Sequence, residues 1–188
     1  MRTILTTLLL CMCGAIMAQD ASKLYEEGKE LYDAKKYTLA VPKLKAAAEQ
    51  GHKKAQYRLG RCYDKGNGIK EDDKQAVRWY SKSADQGFAK AQYELGKCYK
   101  NGEGIEKNRT MAVKYFQLAA DQDNAEAQLA LGKCYMKGKG VPENQAKAKE
   151  LFKKAVNNEK DGANILKELR AEASQGDEDA KIILTMIK

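Results

Sequence analysis

Ala91-Gln-Tyr-Glu-Leu-Gly-Lys-Cys-Tyr-Lys-Asn-Gly-Glu-Gly-Ile105 decides how the chain folds, because its pattern occurs three times. The same frame begins at Ala55 and at Ala127, so Cys62, Cys98 and Cys134 stand 36 residues apart. Gly60, Gly96 and Gly132 keep that spacing, as do the pairs Gly66/Gly68, Gly102/Gly104 and Gly138/Gly140. A fixed period of this length is the signature of a solenoid, in which each unit packs on its neighbours and the whole offers an extended binding surface.

Each unit reads as two antiparallel helices. The first carries Ala55, Leu59, Cys62 and Tyr63 at the spacing of a buried helix face. Gly60 lies inside that helix, where glycine costs about 1 kcal/mol relative to alanine, so its recurrence predicts close packing. Gly66, Gly102 and Gly138 supply left-handed stops, and Ile69, Ile105 or Val141 follows as an apolar plug. Asp72, Asn108 and Asn144 are N-cap types at the entry to the second helix. That helix is marked by the stripe Ala76, Tyr80, Ala84 and its equivalents Ala112, Phe116, Ala120 and Ala148, Phe152, Val156.

The flanks depart from this pattern. Residues 1–18 have a positive start at Arg2, an apolar run from Ile4 to Met17, and Ala18 before Gln19. This layout predicts a signal peptide cleaved after Ala18, and hence export to the periplasm or secretion. Leu10 and Met12 precede Cys11 and Cys13 where a lipoprotein needs small residues, so lipid anchoring is not expected. No later stretch is apolar for long enough to span a bilayer. Residues 19–53 read as an N-terminal helix pair without the Gly-x-Gly loop, and 54–158 as three full repeats. Residues 159–188 read as degenerate capping helices split at Gln175-Gly176, the second running from Asp177 to Ile187.

The net charge is +8, or +7 without Arg2. In an exported protein this excess points away from nucleic acid and toward an acidic protein segment or an anionic envelope polymer. Two of the five cysteines lie in the first segment. The other three recur one helix pair apart, about 10 Å, beyond the roughly 7 Å a disulfide tolerates. They read as small buried hydrophobes. His52 reads as a turn residue, and Trp79 as packing between repeats. No cofactor motif, metal-ligand spacing or nucleophile–base–acid set is present in the sequence.

The string Ala-x-x-x-Leu-Gly-x-x-Tyr-x-x-Gly-x-Gly-Ile/Val, followed by Asp/Asn and then Ala-x-x-Trp/Tyr-Tyr/Phe, resembles the Sel-1-like repeat. That repeat is a longer-looped relative of the tetratricopeptide repeat. The resemblance implies an all-α, right-handed superhelix of about five antiparallel helix pairs. It implies a non-catalytic adaptor of the bacterial envelope that holds a protein or acidic peptide in a concave groove. It also implies that the first helix of each pair lines this groove. On those helices the residue after the helical glycine is Lys29, Arg61, Lys97 or Lys133. Four residues earlier stand Tyr25, Tyr57, Tyr93 and Leu129, on the same helix face. Tyr25, Lys29, Tyr57, Arg61, Tyr93, Lys97 and Lys133 are therefore the candidate binding residues. The competing reading of these positions is a solvated face with tyrosines packed between helices. A receptor for an anionic glycan or peptidoglycan fragment is the alternative function, and a cell-wall or lactam hydrolase a remote one.

Overall fold

The computed structural model describes residues 20–188, so the expected signal peptide and its cleavage site lie outside the described residues. The described chain is all-helical and divides into two compact units at the Phe88/Ala89 junction.

The first unit contains α1 (20–33), α2 (Tyr37–Glu49), α3 (Lys53–Lys65) and α4 (Asp73–Asp85). Its core gathers Tyr25 and Tyr32 from α1 with Leu44 and Ala47 of α2, Leu59 and Cys62 of α3, and Trp79 of α4. The second unit contains α5 (Ala89–Asn101), α6 (Arg109–Ala120), α7 (Ala125–Lys137), α8 (Gln145–Val156), α9 (Gly162–Ser174) and α10 (Glu178–Ile187). Within it α5 packs on α6, α6 on α7, α7 on α8, and α9 and α10 on α8.

The recurring glycines set these boundaries. Gly66 and Gly138 end α3 and α7 at φ 64° and 60°, and each donates its N–H to a cysteine carbonyl one turn back. Asp72, Asn108 and Asn144 cap the second helices, accepting from the backbone N–H of Gln75, Met111 and Lys147 at 3.0, 2.9 and 2.9 Å. The helical glycine is a steric requirement. A Cβ built on Gly60 would lie 2.7 Å from the Tyr80 ring, and one on Gly96 would lie 2.6 Å from the Phe116 ring. Gly132 stands against Phe152 in the same way. The second glycine serves a different contact in two of the loops: there is no room for a side chain at Gly68 against the Tyr37 backbone, nor at Gly140 against Arg109.

A second periodic device is polar. Gln56, Gln92 and Gln128 are buried at equivalent positions of α3, α5 and α7. Gln86 donates to the Gln56 side chain and Gln122 to that of Gln92, each at 2.7 Å. Cys62, Cys98 and Cys134 are buried thiols, as the spacing predicts, and Trp79 is buried beneath the Lys82 ammonium. In the C-terminal pair Asp177 caps α10 by accepting from the Ala180 N–H at 2.7 Å.

Candidate binding surface

The first helices bring each predicted cation–aromatic pair onto one face, and the pairs then diverge. On α3 the Arg61 guanidinium lies 6.0 Å from the Tyr57 ring centroid, and on α5 the Lys97 ammonium lies 5.4 Å from that of Tyr93. These are the contacts that residues four apart on a helix allow. Lys97 also holds Glu94 at 2.7 Å. On α1, Lys29 turns to Glu26 at 3.1 Å, a pairing that raises its pKa. Tyr25 is buried, and its ring stacks on His52 at 4.4 Å.

The other tyrosines are half-buried and share their rings with the core. Tyr57 meets Phe88 edge-on at 5.3 Å, and Tyr93 lies tilted over Phe116 at 5.9 Å. Burial pushes the Tyr93 phenol up to about 12, with Lys97 opposing the shift, so its hydroxyl remains a donor at physiological pH. On α7 the aromatic is replaced by Leu129, and a cavity of about 430 Å³ opens in the second unit. Tyr93, Leu129 and Ala130 line it together with Lys133. Of the predicted residues, this cavity therefore unites Tyr93 and Lys133.

Two contributors were not anticipated. His52 is the N-cap of α3: its Nδ1 accepts from the Ala55 N–H at 3.2 Å, as Asn124 does for Ala127 in α7. The 72-residue spacing of His52 and Asn124 was the available signal. The cavity is also lined by Lys100, Lys107, Arg109 and Lys139, which belong to helix ends and Gly-x-Gly loops rather than to the first-helix face. Among the described residues, no cluster of His, Cys, Asp and Glu is placed to hold a metal ion. No described helix is long and apolar enough to cross a membrane.

The Sel1 repeat pattern matches residues 53–88, 89–124 and 125–159. The chain belongs to the Sel1 repeat family. This places it in the tetratricopeptide-like superfamily of helical solenoids, whose members are generally protein-interaction scaffolds and typically non-catalytic. A Sel1 repeat protein from Oxalobacter formigenes is similar at 33% identity over 85% of this chain and 74% of its own, with a TM-score of 0.69. The antigen c5321, a protective antigen of uropathogenic Escherichia coli strains with an SLR fold, is similar at 34% identity and a TM-score of 0.72. That match covers 83% of this chain and 34% of the antigen, so the chain spans about a third of that protein's length. Helicobacter pylori cysteine rich protein B shares the fold at 23% identity and a TM-score of 0.50, over 75% of this chain and 96% of its own. No curated protein matches the chain.

Proposed function

We propose that this Sel1 repeat chain is an exported, non-catalytic adaptor of the bacterial envelope that holds an acidic protein segment against its first helices. The reading rests on the recurrence of a cation, Lys29, Arg61, Lys97 and Lys133, one residue after the helical glycine of α1, α3, α5 and α7. Such cations give carboxylates charge-assisted hydrogen bonds, worth about 1.5–3 kcal/mol each where water is excluded and less at an exposed rim. The similar proteins of known structure come from bacteria, which fits an envelope role.

A receptor for an anionic glycan or peptidoglycan fragment ranks second. Sugars bind by stacking on open aromatic faces, whereas Tyr25 stacks on His52, and Tyr57 and Tyr93 pack against Phe88 and Phe116.

The test compares the native chain with a variant in which Lys29, Arg61, Lys97 and Lys133 are all glutamate. Both are used to capture proteins from solubilised envelope, after circular dichroism has confirmed equal helicity. A partner held by the native chain and released by the variant supports the reading. Equal retention by both refutes it.

A further inference from the structure

We propose that the cavity of the second unit anchors a run of carboxylates from an acidic peptide, and that Asp179 of α10 is a built-in competitor for it. This rests on the groove reading above and names the subsite where the charge is recognised.

Five cations line the cavity without an ion pair among the described residues: Lys100, Lys107, Arg109, Lys133 and Lys139. They reach it from four places: the end of α5, the start of α6, the body of α7, and the Gly-x-Gly loops that join each pair. The contrast with the helix-face cations is direct. Lys29 and Lys97 already hold Glu26 and Glu94 on their own helices, so a ligand carboxylate must displace an internal one there. At the cavity the internal acid is mostly missing: Glu126 and Asp179 are the carboxylates in its lining. Asp179 is spent on Lys137 at the rim.

The floor fixes the ligand class. Tyr93 offers a hydroxyl that stays protonated, and Leu129 and Ala130 present apolar surface. A single phosphate engages two or three donors and would leave the other cations unanswered. Cations spread around about 430 Å³ need several anionic groups, each on a short apolar stem, and consecutive Asp or Glu side chains have that form. An extended polyanion of sugars would want open ring faces, and the Tyr93 ring is committed to Phe116 and Lys97. The Lys137–Asp179 pair places a protein carboxylate at the edge of the same field. Removing its charge frees Lys137 for the ligand.

The experiment uses the whole chain and fluorescein-labelled octaglutamate, read by fluorescence anisotropy, with octaglutamine as the uncharged control and sulfated dextran as competitor. Native protein should bind octaglutamate and weaken as salt rises from about 50 to about 300 mM, because screening shortens the reach of each charge. The variant Arg109→Glu with Lys133→Glu should lose about tenfold or more in affinity. Lys29→Glu with Arg61→Glu should also weaken binding, but by less than the Arg109/Lys133 variant does, and Asp179→Asn should gain about two- to fivefold. Circular dichroism confirms the fold, and Lys133→Arg, which keeps the charge, should bind like the native chain. If octaglutamate binds but only the Lys29/Arg61 variant loses it, the cavity assignment falls while the groove reading stands. Displacement by sulfated dextran far below the octaglutamate concentration would overturn the peptide as ligand class. Absence of octaglutamate binding to the native chain overturns both the subsite and the acidic-segment reading.

Discussion

Gly96→Ala is a small change that the repeat should reject. The added methyl would sit 2.6 and 2.7 Å from two Phe116 ring carbons and 3.3 Å from the Ala112 carbonyl oxygen. Carbon atoms pack comfortably at about 3.5–4.0 Å, so the ring must retreat by close to 1 Å. Phe116 has no accessible surface and is held among Ala112, Ala119 and Leu131, which leaves nowhere to retreat without moving α6 off α5. Overpacking of this kind costs about 1–3 kcal/mol. Alanine returns up to about 1 kcal/mol through its better helix propensity, so the net loss should be about 1–2 kcal/mol. A double-mutant cycle isolates the cause. Phe116→Leu removes the ring carbons that clash, so it should hurt the native background but offset much of the loss in the Gly96→Ala background. The coupling should reach about 1 kcal/mol in favour of the double variant. Urea unfolding followed by far-ultraviolet circular dichroism gives all four stabilities. Gly96→Ala at or above native stability, or additivity within about 0.3 kcal/mol, would refute the claim that this glycine exists to seat the ring.

Three further perturbations test other parts of the fold. His52 caps α3 through an unprotonated Nδ1, and its pKa is lowered, first by burial and then by Lys54. Its folded pKa thus lies below the unfolded 6.5, so its contribution is present above that value and is lost as pH falls through the folded pKa. The urea midpoint should drop between about pH 7.5 and about pH 5, and less so in His52→Asn, which keeps the cap; an equal drop in both would exclude His52 as the cause. Lys35 holds φ 58° in the turn between α1 and α2, so Lys35→Gly should raise stability by about 0.5–1.5 kcal/mol, and a lower melting temperature would count against strain there. Gln56→Met gives up a bond to the Ala48 carbonyl at 3.1 Å and the one accepted from Gln86 at 2.7 Å, whereas Gln128→Met gives up only long bonds to Ala120 and Asp123 at 3.5 Å and removes an amide oxygen that has no partner. The first should therefore cost about 1–2 kcal/mol more than the second, and equal losses in denaturant titrations would refute the comparison.

Much of this was legible because it is local and periodic. Gly66, Gly138, Asp72, Asn108 and Asn144 act within one turn of chain, and their residue types are those the left-handed stop and the N-cap demand. The glycines at 60, 96 and 132 announced a tight contact, and the rings they seat stood at the same period. The binding face was harder to read. Tyr25 has the spacing of Tyr57 and Tyr93, yet His52, which has Phe88 as its counterpart one period on, takes its ring. Lys29 and Lys97 carried their own answer three residues earlier, in Glu26 and Glu94, since that spacing on a helix brings side chains together. The cavity depends on an exception, Leu129, combined with loop cations that no single helix face contains. A substitution can be seen in sequence. The space it leaves is a property of three elements at once.

The end of the repeat shows how periodicity is given up for a local need. Position 86 is a glutamine whose amide reaches both the Gly51 carbonyl at 3.0 Å and the Gln56 side chain at 2.7 Å, clamping one pair to the turn before it. Gln122 makes the same bond to Gln92. One period on stands Asn158, shorter by a methylene. It still donates to the Asp123 carbonyl at 3.0 Å, the equivalent of Gly51, but Gln128 Oε1 is left buried without a partner. Such an orphan costs about 1–3 kcal/mol. In exchange the Asn158 oxygen accepts from the N–H groups of Lys160 and Asp161 at 3.0 and 3.1 Å, forming the tight turn that leads into α9. Two such bonds return about 0.5–1.5 kcal/mol each, so the trade is close to even in stability while it redirects the chain. The longer arm of a glutamine suits the clamp, and the shorter one of asparagine suits the turn. Asparagine therefore stands where the repeats give way to the capping pair, whose α9 and α10 pack on α8 and bring Asp179 to the cavity.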